Sequence, residues 1–530
     1  MPRSGAFIPL LLLFLLPGVS PYCYTGKAEV CNENMASVPA HNLVGEGIDI
    51  TTLEWTGASV VDTSLWRGPN GTCSLCRNPL QEGQVQRVPL AVVDWRVHSW
   101  CNRDLSSSVE ESAVDVARAI ASDVKNDWKL ELGLPDESPV LALGGSQSRL
   151  AGYAYQKELH DKYMFVRHEV SCVYYRLRLP QDPPLTPHFS WALSRLPPSY
   201  NSAAYRPFLA TYGTHYISQA ALGGRVRQLT TAQTCRVVLG GLTVSDIKQC
   251  LASQFSLNLG LGSLASDSEC REGSSHWHKW RSQAAYMEHR AEVTGGHGHA
   301  SLLFSTKQDA GVFSAWMESL KTSPSLVSYS LMPIHTLLEP DDPRREALRQ
   351  AVKKYVAERG RRRSCPRSCP EGGKTYSWDP CKCYCFASPL TNSMCCSLKR
   401  GMARLKVRVL SAEDLWGDPT SATDAYVRFL FQGRRLQTGH IEEDNNPVWF
   451  KDLDFGPVTL PALPKMEMEV WDSDLWEDDL LGRCYTYLEV GRDVRYTCHL
   501  AHGHLKFSYT LECGPNLGGN NCHEYVPARG

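Results

Sequence analysis

Apolar and polar residues alternate most regularly in the last third of the chain. Leu405-Lys406-Val407-Arg408-Val409, Tyr426-Val427-Arg428-Phe429-Leu430 and Met466-Glu467-Met468-Glu469-Val470 each carry the period of a half-buried strand, with turn residues between them. Many short strands separated by turns predict an all-β sandwich over residues 400–513. Upstream the pattern is mixed. Cys172 to Leu179 predicts a strand with Val173, Tyr175, Leu177 and Leu179 on one face and Arg176 and Arg178 on the other. Val116, Ile120, Val124 and Trp128 recur at four-residue steps and predict an amphipathic helix. Ser107 with Glu110, and Ser108 with Glu111, have the spacing of a capping box at its start.

Two regions share a second plan. Gln254 to Leu264 places Phe255, Leu257, Leu259 and Leu261 one way and Ser256, Asn258, Gly260 and Gly262 the other, with no charge. The alternation predicts a strand, either half-buried in a soluble sheet or of the ~9–11-residue kind that crosses a bilayer. Asp267 to Arg290 is polar, rich in histidine and aromatics, and predicts short helices before Gly295-Gly296 and the apolar Leu302-Leu303-Phe304. Earlier, Val140-Leu141-Ala142-Leu143 and Gly144-Gly145 precede a helical stretch from Ser148 to Lys162 and then a strand. Polar helical clusters flanked by strands suit refolding into two β-hairpins. They suit packed surface helices equally well.

Length suggests three or four domains in 530 residues, and a net charge of −1 says little about partners. Residues 1–20 read as a secretory signal: Arg3, an apolar run through Leu16, then Pro17-Gly18-Val19-Ser20. No later stretch reaches the ~18 apolar residues of a spanning helix. Twenty cysteines in an exported chain imply disulfides, and Asn70-Gly71-Thr72 is a glycosylation sequon suited to that route. Seven cysteines fall between Cys365 and Cys396, an odd number in a segment too small to hold a large core. Cys235, Cys250 and Cys270 form another odd group, which predicts a bridge between the two regions; a zinc knuckle is the alternative. Arg359-Gly360-Arg361-Arg362-Arg363 reads as a solvated basic linker.

Chemistry concentrates in two acidic loops. Asp418 and Asp424 lie in one, and Asp472, Asp474, Asp478 and Asp479 in the other. Carboxylates this dense repel one another unless a cation sits among them, and Ca²⁺ takes six to eight oxygens at about 2.3–2.6 Å. Trp416 and Trp476 are residues that favour a membrane–water interface. The pair of loops therefore predicts a Ca²⁺-gated membrane contact, and two solvated acidic turns are the alternative. Like charges also raise affinity for protons, so acid is expected to compete with Ca²⁺. An enzyme is disfavoured: the chain has no Gly-x-Ser-x-Gly elbow, no His-Glu-x-x-His and no phosphate loop.

Tyr212-Gly213-Thr214-His215-Tyr216, followed by Gly223-Gly224-Arg225, resembles the signature of the membrane attack complex/perforin (MACPF) family. The modules behind it fit the order MACPF, EGF-like, C2, at residues 21–363, 364–397 and 400–513, with a tail at 514–530. The resemblance implies an α+β MACPF domain, a bent antiparallel sheet with two helical clusters, followed by a small disulfide-rich EGF-like module and an all-β C2 sandwich. The clusters map to Ser146–Lys162 and Ser266–Arg290, each expected to unwind into a membrane hairpin, with Phe255 to Leu261 as hairpin wall. Gly223 and Gly224 would form a hinge where glycine permits strained backbone. Asp418, Asp424, Asp472, Asp474 and Asp479 would ligate Ca²⁺, with Asp478 and Glu443 as further candidates. Trp416, Leu475 and Trp476 would enter the membrane. The implied activity is cytolytic pore formation by a homo-oligomeric ring on a phospholipid target membrane. Secretion from cytolytic granules and co-delivered effectors such as granzymes are implied as well. A non-lytic membrane-binding or adhesion protein of the same modules is the alternative. His276, His278, His289, His297 and His299 are expected to add a second acid brake by charging a cluster that must cross lipid.

Overall fold

The computed structural model describes residues 23–527 apart from 32–33, 135–140, 143, 261–269, 271–274, 298–309, 363–368, 370–372, 377–381, 387, 418 and 420. The signal segment and Leu302 to Phe304 therefore lie outside the described residues. Among the described residues, no helix is long and apolar enough to cross a membrane.

One long antiparallel sheet organises the first domain. Its strands are β1 (Glu46–Asp49), β2 (Glu54–Ser59), β3 (Asp94–Glu110), β4 (Tyr163–Arg178), β5 (His215–Gln233), β6 (Glu288–Thr294) and β7 (Ser325–Pro333). The order is β2-β1-β5-β4-β3, and β6 and β7 both pair with β5. The strand predicted at Cys172 to Leu179 is the end of β4, with Arg176 and Arg178 exposed and the apolar set buried. Around the sheet lie α1 (Ala113–Ala121), α2 (Arg149–Glu158), α3 (Pro187–Ser194), α4 (Ser202–Tyr212), α5 (Thr234–Leu239), α6 (Val244–Asn258), α7 (Ser275–Ala284), α8 (Ala310–Ser319) and α9 (Arg344–Arg359).

Two expectations about helices need correction. Ser107 and Ser108 do not cap α1, because β3 runs through them to Glu110. The cap is Ser112, whose side chain accepts from Asp115 N, and the helix stops at Ala121, before Val124 and Trp128. Gln254 to Asn258 is not a strand but the last turn of α6. There Thr243 and Asp246 form a capping box, and Ile247, Leu251, Phe255 and Leu259 bury one helical face at four-residue steps. Residues 261–264 lie outside the described residues. The helix expected over Ser148–Lys162 is α2, capped by Ser148. Among the described residues of Asp267 to Arg290, Ser275–Ala284 form α7, and the end of the stretch opens into β6.

Helices α1 and α2 of segment 111–162, and α5 to α7 of segment 234–287, cover opposite faces of the same sheet. On one face, Phe165 of β4 and Leu229 of β5 pack with Val116 and Ile120 of α1 and Leu150 and Ala154 of α2. On the other, Met164 and Val166 of β4 and Ala232 of β5 pack with Val237 of α5, Ile247 and Leu251 of α6 and Trp280 of α7. Neighbouring β4 residues 164 and 165 thus serve different clusters, as the two-residue period of a strand requires.

The basic run is not a free linker: Arg361–Arg362 pairs antiparallel with Leu141–Ala142. The expected inter-module bridge is Cys235–Cys396, while Cys250 pairs with Cys270. Cys369–Cys383 and Cys385–Cys395 close the small module as disulfides. The last domain is a sandwich of two four-stranded sheets, β11-β8-β15-β14 and β10-β9-β12-β13. Its strands are β8 (Met402–Glu413), β9 (Ala425–Phe431), β10 (Arg434–Gln437), β11 (Val448–Thr459), β12 (Lys465–Asp472), β13 (Asp479–Tyr487), β14 (Gly491–His499) and β15 (His504–Cys513). All three alternating segments noted above fall inside β8, β9 and β12. The tail folds back, burying Leu517 and Cys522 in this core. Tyr525 Oη donates to the carboxylate of Asp161, which is 1% exposed at the foot of β4. Gln233 Nε2 reaches the same carboxylate at 2.9 Å, and the Arg236 guanidinium stands over the rings of both Tyr286 and Tyr525. The tail therefore touches the junctions where both clusters leave the sheet.

Candidate functional site

Three loops meet at one end of the sandwich: 414–424 between β8 and β9, 438–447 between β10 and β11, and 473–478 between β12 and β13. Asp472 ends β12 and is 3% exposed. Its Oδ1 accepts from Asp424 N at 2.7 Å, and in turn Asp424 Oδ1 accepts from Glu443 N at 2.7 Å. These bonds tie all three loops through two of the predicted carboxylates. Gly417 lines the same point, where a Cβ would stand 1.9 Å from Asp472 Oδ2. The loop approaches the carboxylate that closely only because residue 417 is glycine. Asn445 Oδ1 accepts from Thr423 N and Oγ1 at 3.0 and 2.8 Å, which fixes the second loop against the first.

The two candidates at the end of the third loop separate. Asp478 Oδ2 accepts from Tyr426 Oη at 2.6 Å and stands 3.8 Å from Arg428. Burial, with Asp478 beside it, pushes the Tyr426 hydroxyl up to about 12. Asp479 is exposed and lies directly opposite Asp472 in the β12–β13 register, so their side chains share a face. Asp474 is exposed, and Asp418 lies outside the described residues. Glu443, with φ of 50°, contributes its main-chain N–H to Asp424. A donor set of carboxylate oxygens, gathered where glycine clears the space, suits a hard cation. Among the described residues no three His, Cys, Asp or Glu side chains converge on a single metal position.

Beyond the carboxylates the loops are apolar. Leu475 and Trp476 are 99% and 98% exposed. Trp416 is half-exposed, its ring edge-on to His502 at 5.1 Å. Large apolar side chains presented this fully at a loop tip mark an interaction surface.

In the first domain the signature residues are a joint rather than a reactive centre. Gly213 takes φ of 77°, and a Cβ there would meet Ile48 O at 2.7 Å. Thr214 Oγ1 accepts from Ile50 N at 3.0 Å and donates to Ile48 O at 3.1 Å. His215 is fully buried against Trp128, with Nδ1 2.8 Å from Thr214 Oγ1, and burial lowers its pKa to about 3. Tyr212 ends α4, and Tyr216 pairs with Gly47, so the motif rivets α4, β1 and β5 together.

Gly223 and Gly224 sit where β5 changes partner: β7 pairs up to Gly223, and β6 begins at Arg225. Neither has a left-handed backbone, so strain is not why glycine stands there. Space is the reason. A Cβ at Gly223 would lie 1.9 Å from Cys172 O, and one at Gly224 would lie 2.3 Å from Leu320 Cδ2. Asn70 is exposed on a turn before Cys73.

Among the described residues, the histidines of the expected acid brake do not gather. His278 is exposed on α7; His289 Nδ1 on β6 meets Thr230 Oγ1 at 2.9 Å; His297 Nε2 meets Ser323 Oγ at 3.0 Å. His299 and the side chain of His276 lie outside the described residues. The histidine at the cluster interface is another, His168 of β4. It is buried and stacked on Phe255 of α6 at 5.8 Å. Its pKa falls to about 4, chiefly through burial; the Lys248 main chain opposes the fall and the Lys248 charge adds to it.

Family comparisons agree with this architecture. The "MAC/Perforin domain" model matches residues 35–364, the "Perforin-1-like, EGF domain" model 364–398 and the "C2 domain" model 403–498. Perforin-1 from Homo sapiens is 42% identical over 95% of this chain and 93% of its own length. Perforin-1 from Rattus norvegicus is 40% identical over 99% and 97%. The complement component C8 alpha chain of Oryctolagus cuniculus is 27% identical over 50% and 48%.

Proposed function

The chain belongs to the MAC/perforin family, and from that premise we propose that it is a secreted, pore-forming cytolytic protein that docks on target membranes in a Ca²⁺-dependent way. Asp418, Asp424, Asp472, Asp474 and Asp479 would hold the ion. When bound, it neutralises carboxylates that would otherwise repel an anionic lipid surface. Asp478 is left out of the set, since Tyr426 and Arg428 already engage it. Trp416, Leu475 and Trp476 enter the interface, and docking concentrates the monomers on a surface.

One observation carries the pore-forming reading. Segment 111–162 joins β3 to β4, and segment 234–287 joins β5 to β6, and both strand pairs are already antiparallel neighbours. Continuing each strand into the segment it leads to yields two β-hairpins per subunit without changing the order of strands. Each segment has about 50 residues, against the ~10 per strand that a bilayer demands. In the hairpin state Phe255 to Leu261 regains the alternation that α6 suppresses, apolar toward lipid and polar toward the lumen. Rings of subunits close the barrel, because an open sheet edge is not tolerated in lipid.

Storage in secretory granules, and delivery together with effector proteins such as granzymes, belong to the same proposal through the family resemblance alone. A disulfide that ties α6 to β4, against which it packs, tests the hairpins: the tied protein should dock and fail to release dye from liposomes. Leakage from the tied protein at the untied rate would end the hairpin reading.

A further inference from the structure

The basic run between the first domain and the small module carries chemistry that neither docking nor the hairpins use. Helix α9 ends at Arg359, and Gly360 closes it with its N–H bonded to Val356 O. At Gly360, with φ of −56° and ψ of 130°, the backbone turns extended and runs on as the short strand Arg361–Arg362. Arginine therefore stands at 359, 361 and 362, with a residue lacking a side chain at 360. The exposed Arg359 guanidinium lies over the Tyr355 ring at 4.9 Å and 3.8 Å from Asp49 Oδ2, a pair of little strength at a wet surface.

The same residues hold segment 111–162. Gln147 Nε2 donates to Arg359 O at 3.0 Å, and Ala142 and Leu141 pair with Arg361 and Arg362 in antiparallel register. So short a ladder is marginal in water and opens locally at small cost. Once open, residues 359–362 offer an extended backbone, the form that a binding partner takes up by strand addition. Arginine at the first, second and fourth positions before a peptide bond suits a protease with acidic subsites. A guanidinium meets a carboxylate bidentately and never loses its charge. The signal segment and the disulfides put the chain on the secretory route, where subtilisin-type endoproteases of this specificity act.

We infer that the bond after Arg362 is a processing site for such an endoprotease, and that the cut loosens the hold on Leu141 and Ala142. In this step water adds across the Arg362 C–N bond. The water oxygen ends in the new Arg362 carboxylate, both its protons end on the new ammonium group, and no oxidant or reductant takes part. The two pieces do not part, because Cys235–Cys396 joins the first domain to the small module across the cut. Lys382 of the module also meets Glu111 at 3.1 Å and Asp115 at 3.2 Å, and Lys162 Nζ donates to Met394 O at 2.7 Å. What changes is the ladder with Leu141–Ala142: one of its strands becomes a chain end, and chain ends fray. Any gain in lytic rate from freeing this segment rests on the pore-forming reading above.

Purified full-length protein treated with a subtilisin-type convertase tests the site. On denaturing gels the treated wild type should give two fragments with reductant and a single band without it. Sequencing of the new amino terminus should read from residue 363. Arg362→Lys keeps the charge and the backbone pairing and should be cut about 10-fold more slowly, since lysine lacks the bidentate fork. In hydrogen exchange, a peptide covering Leu141 and Ala142 should exchange about 10-fold faster after the cut. The site is overturned if the wild type stays whole under enzyme that fully cuts a free peptide bearing Arg-Gly-Arg-Arg, or if Arg362→Lys is cut as fast. Fragments that separate without reductant overturn the retained link, and unchanged exchange overturns the loosening. If neither the cut nor the whole protein releases dye from vesicles with Ca²⁺, the pore-forming reading fails, while the gel and the exchange still decide the processing site.

Discussion

Acid should loosen the second cluster through His168. The ring is buried between β4 and Phe255 of α6, and its pKa is about 4 while α6 is docked. When α6 lifts away, the ring meets water and regains a value near ~6.5. The open state then binds more protons between these values, so docking is full above pH ~6.5 and lost as pH falls toward about 4. Between pH 7 and pH 5 the loss works out at about 2 kcal/mol, a factor of roughly 20 in the opening equilibrium. Hydrogen exchange of a peptide spanning 244–258, corrected for intrinsic rates, reads that factor directly. His168→Phe keeps the stack on Phe255 and removes the titrating group, so its exchange should be nearly flat with pH after the same correction. The same 20-fold loss in His168→Phe would refute the reasoning, and so would a flat wild type. If the result holds, acid opens rather than locks this cluster, and restraint in acid must act at the docking loops.

Asp424→Ala or Asp472→Ala should abolish Ca²⁺-dependent liposome binding while the first domain melts as in the wild type; binding at the wild-type level would remove these residues from the site. Trp476→Ala should weaken docking by about 2 kcal/mol, ~30-fold in vesicle titrations, since shallow insertion withdraws ~80 Å² of the ring from water at ~25 cal/mol per Å². Gly223→Ala should destabilise the first domain by ~3 kcal/mol or more, because its Cβ would lie 1.9 Å from Cys172 O; an unchanged thermal midpoint would show that the strands part easily there. Tyr525→Phe strips a donor from the buried Asp161 and should cost about 1–3 kcal/mol, read as faster proteolysis of residues 514–527.

Much of this molecule is visible in the order of its residues, and the exceptions share a physical cause. The sandwich strands were legible because one face of each meets the core and the other meets water. Asp424 and Asp472 stood out through the density of carboxylates, and the structure sets them side by side, Asp424 N donating to Asp472 Oδ1. The Cys235–Cys396 bridge followed from two odd groups of cysteines. Residues 254–258 misled because Phe255, Leu257 and Leu259 alternate while Leu251, Phe255 and Leu259 also stand at helical spacing. Capping at Thr243 decides for the helix in this state, and the alternation remains available to another. The contact of residues 123–126 with β7 left little trace, because two of its four hydrogen bonds join main chain to main chain, which any residue supplies, and the other two need only Asn126. Asp123 with Arg225 and Arg227 was the available signal, a charge pattern whose pairing appears only once β5 is folded beside it.

The central claim is that Ca²⁺-dependent docking leads to rings that perforate the bilayer. Electron microscopy and dye release on the same liposomes, with and without Ca²⁺, test it most directly. Rings and leakage should appear together with Ca²⁺, and neither without it. Binding with Ca²⁺ but without leakage would contradict the account and favour an adhesion protein built on the same modules.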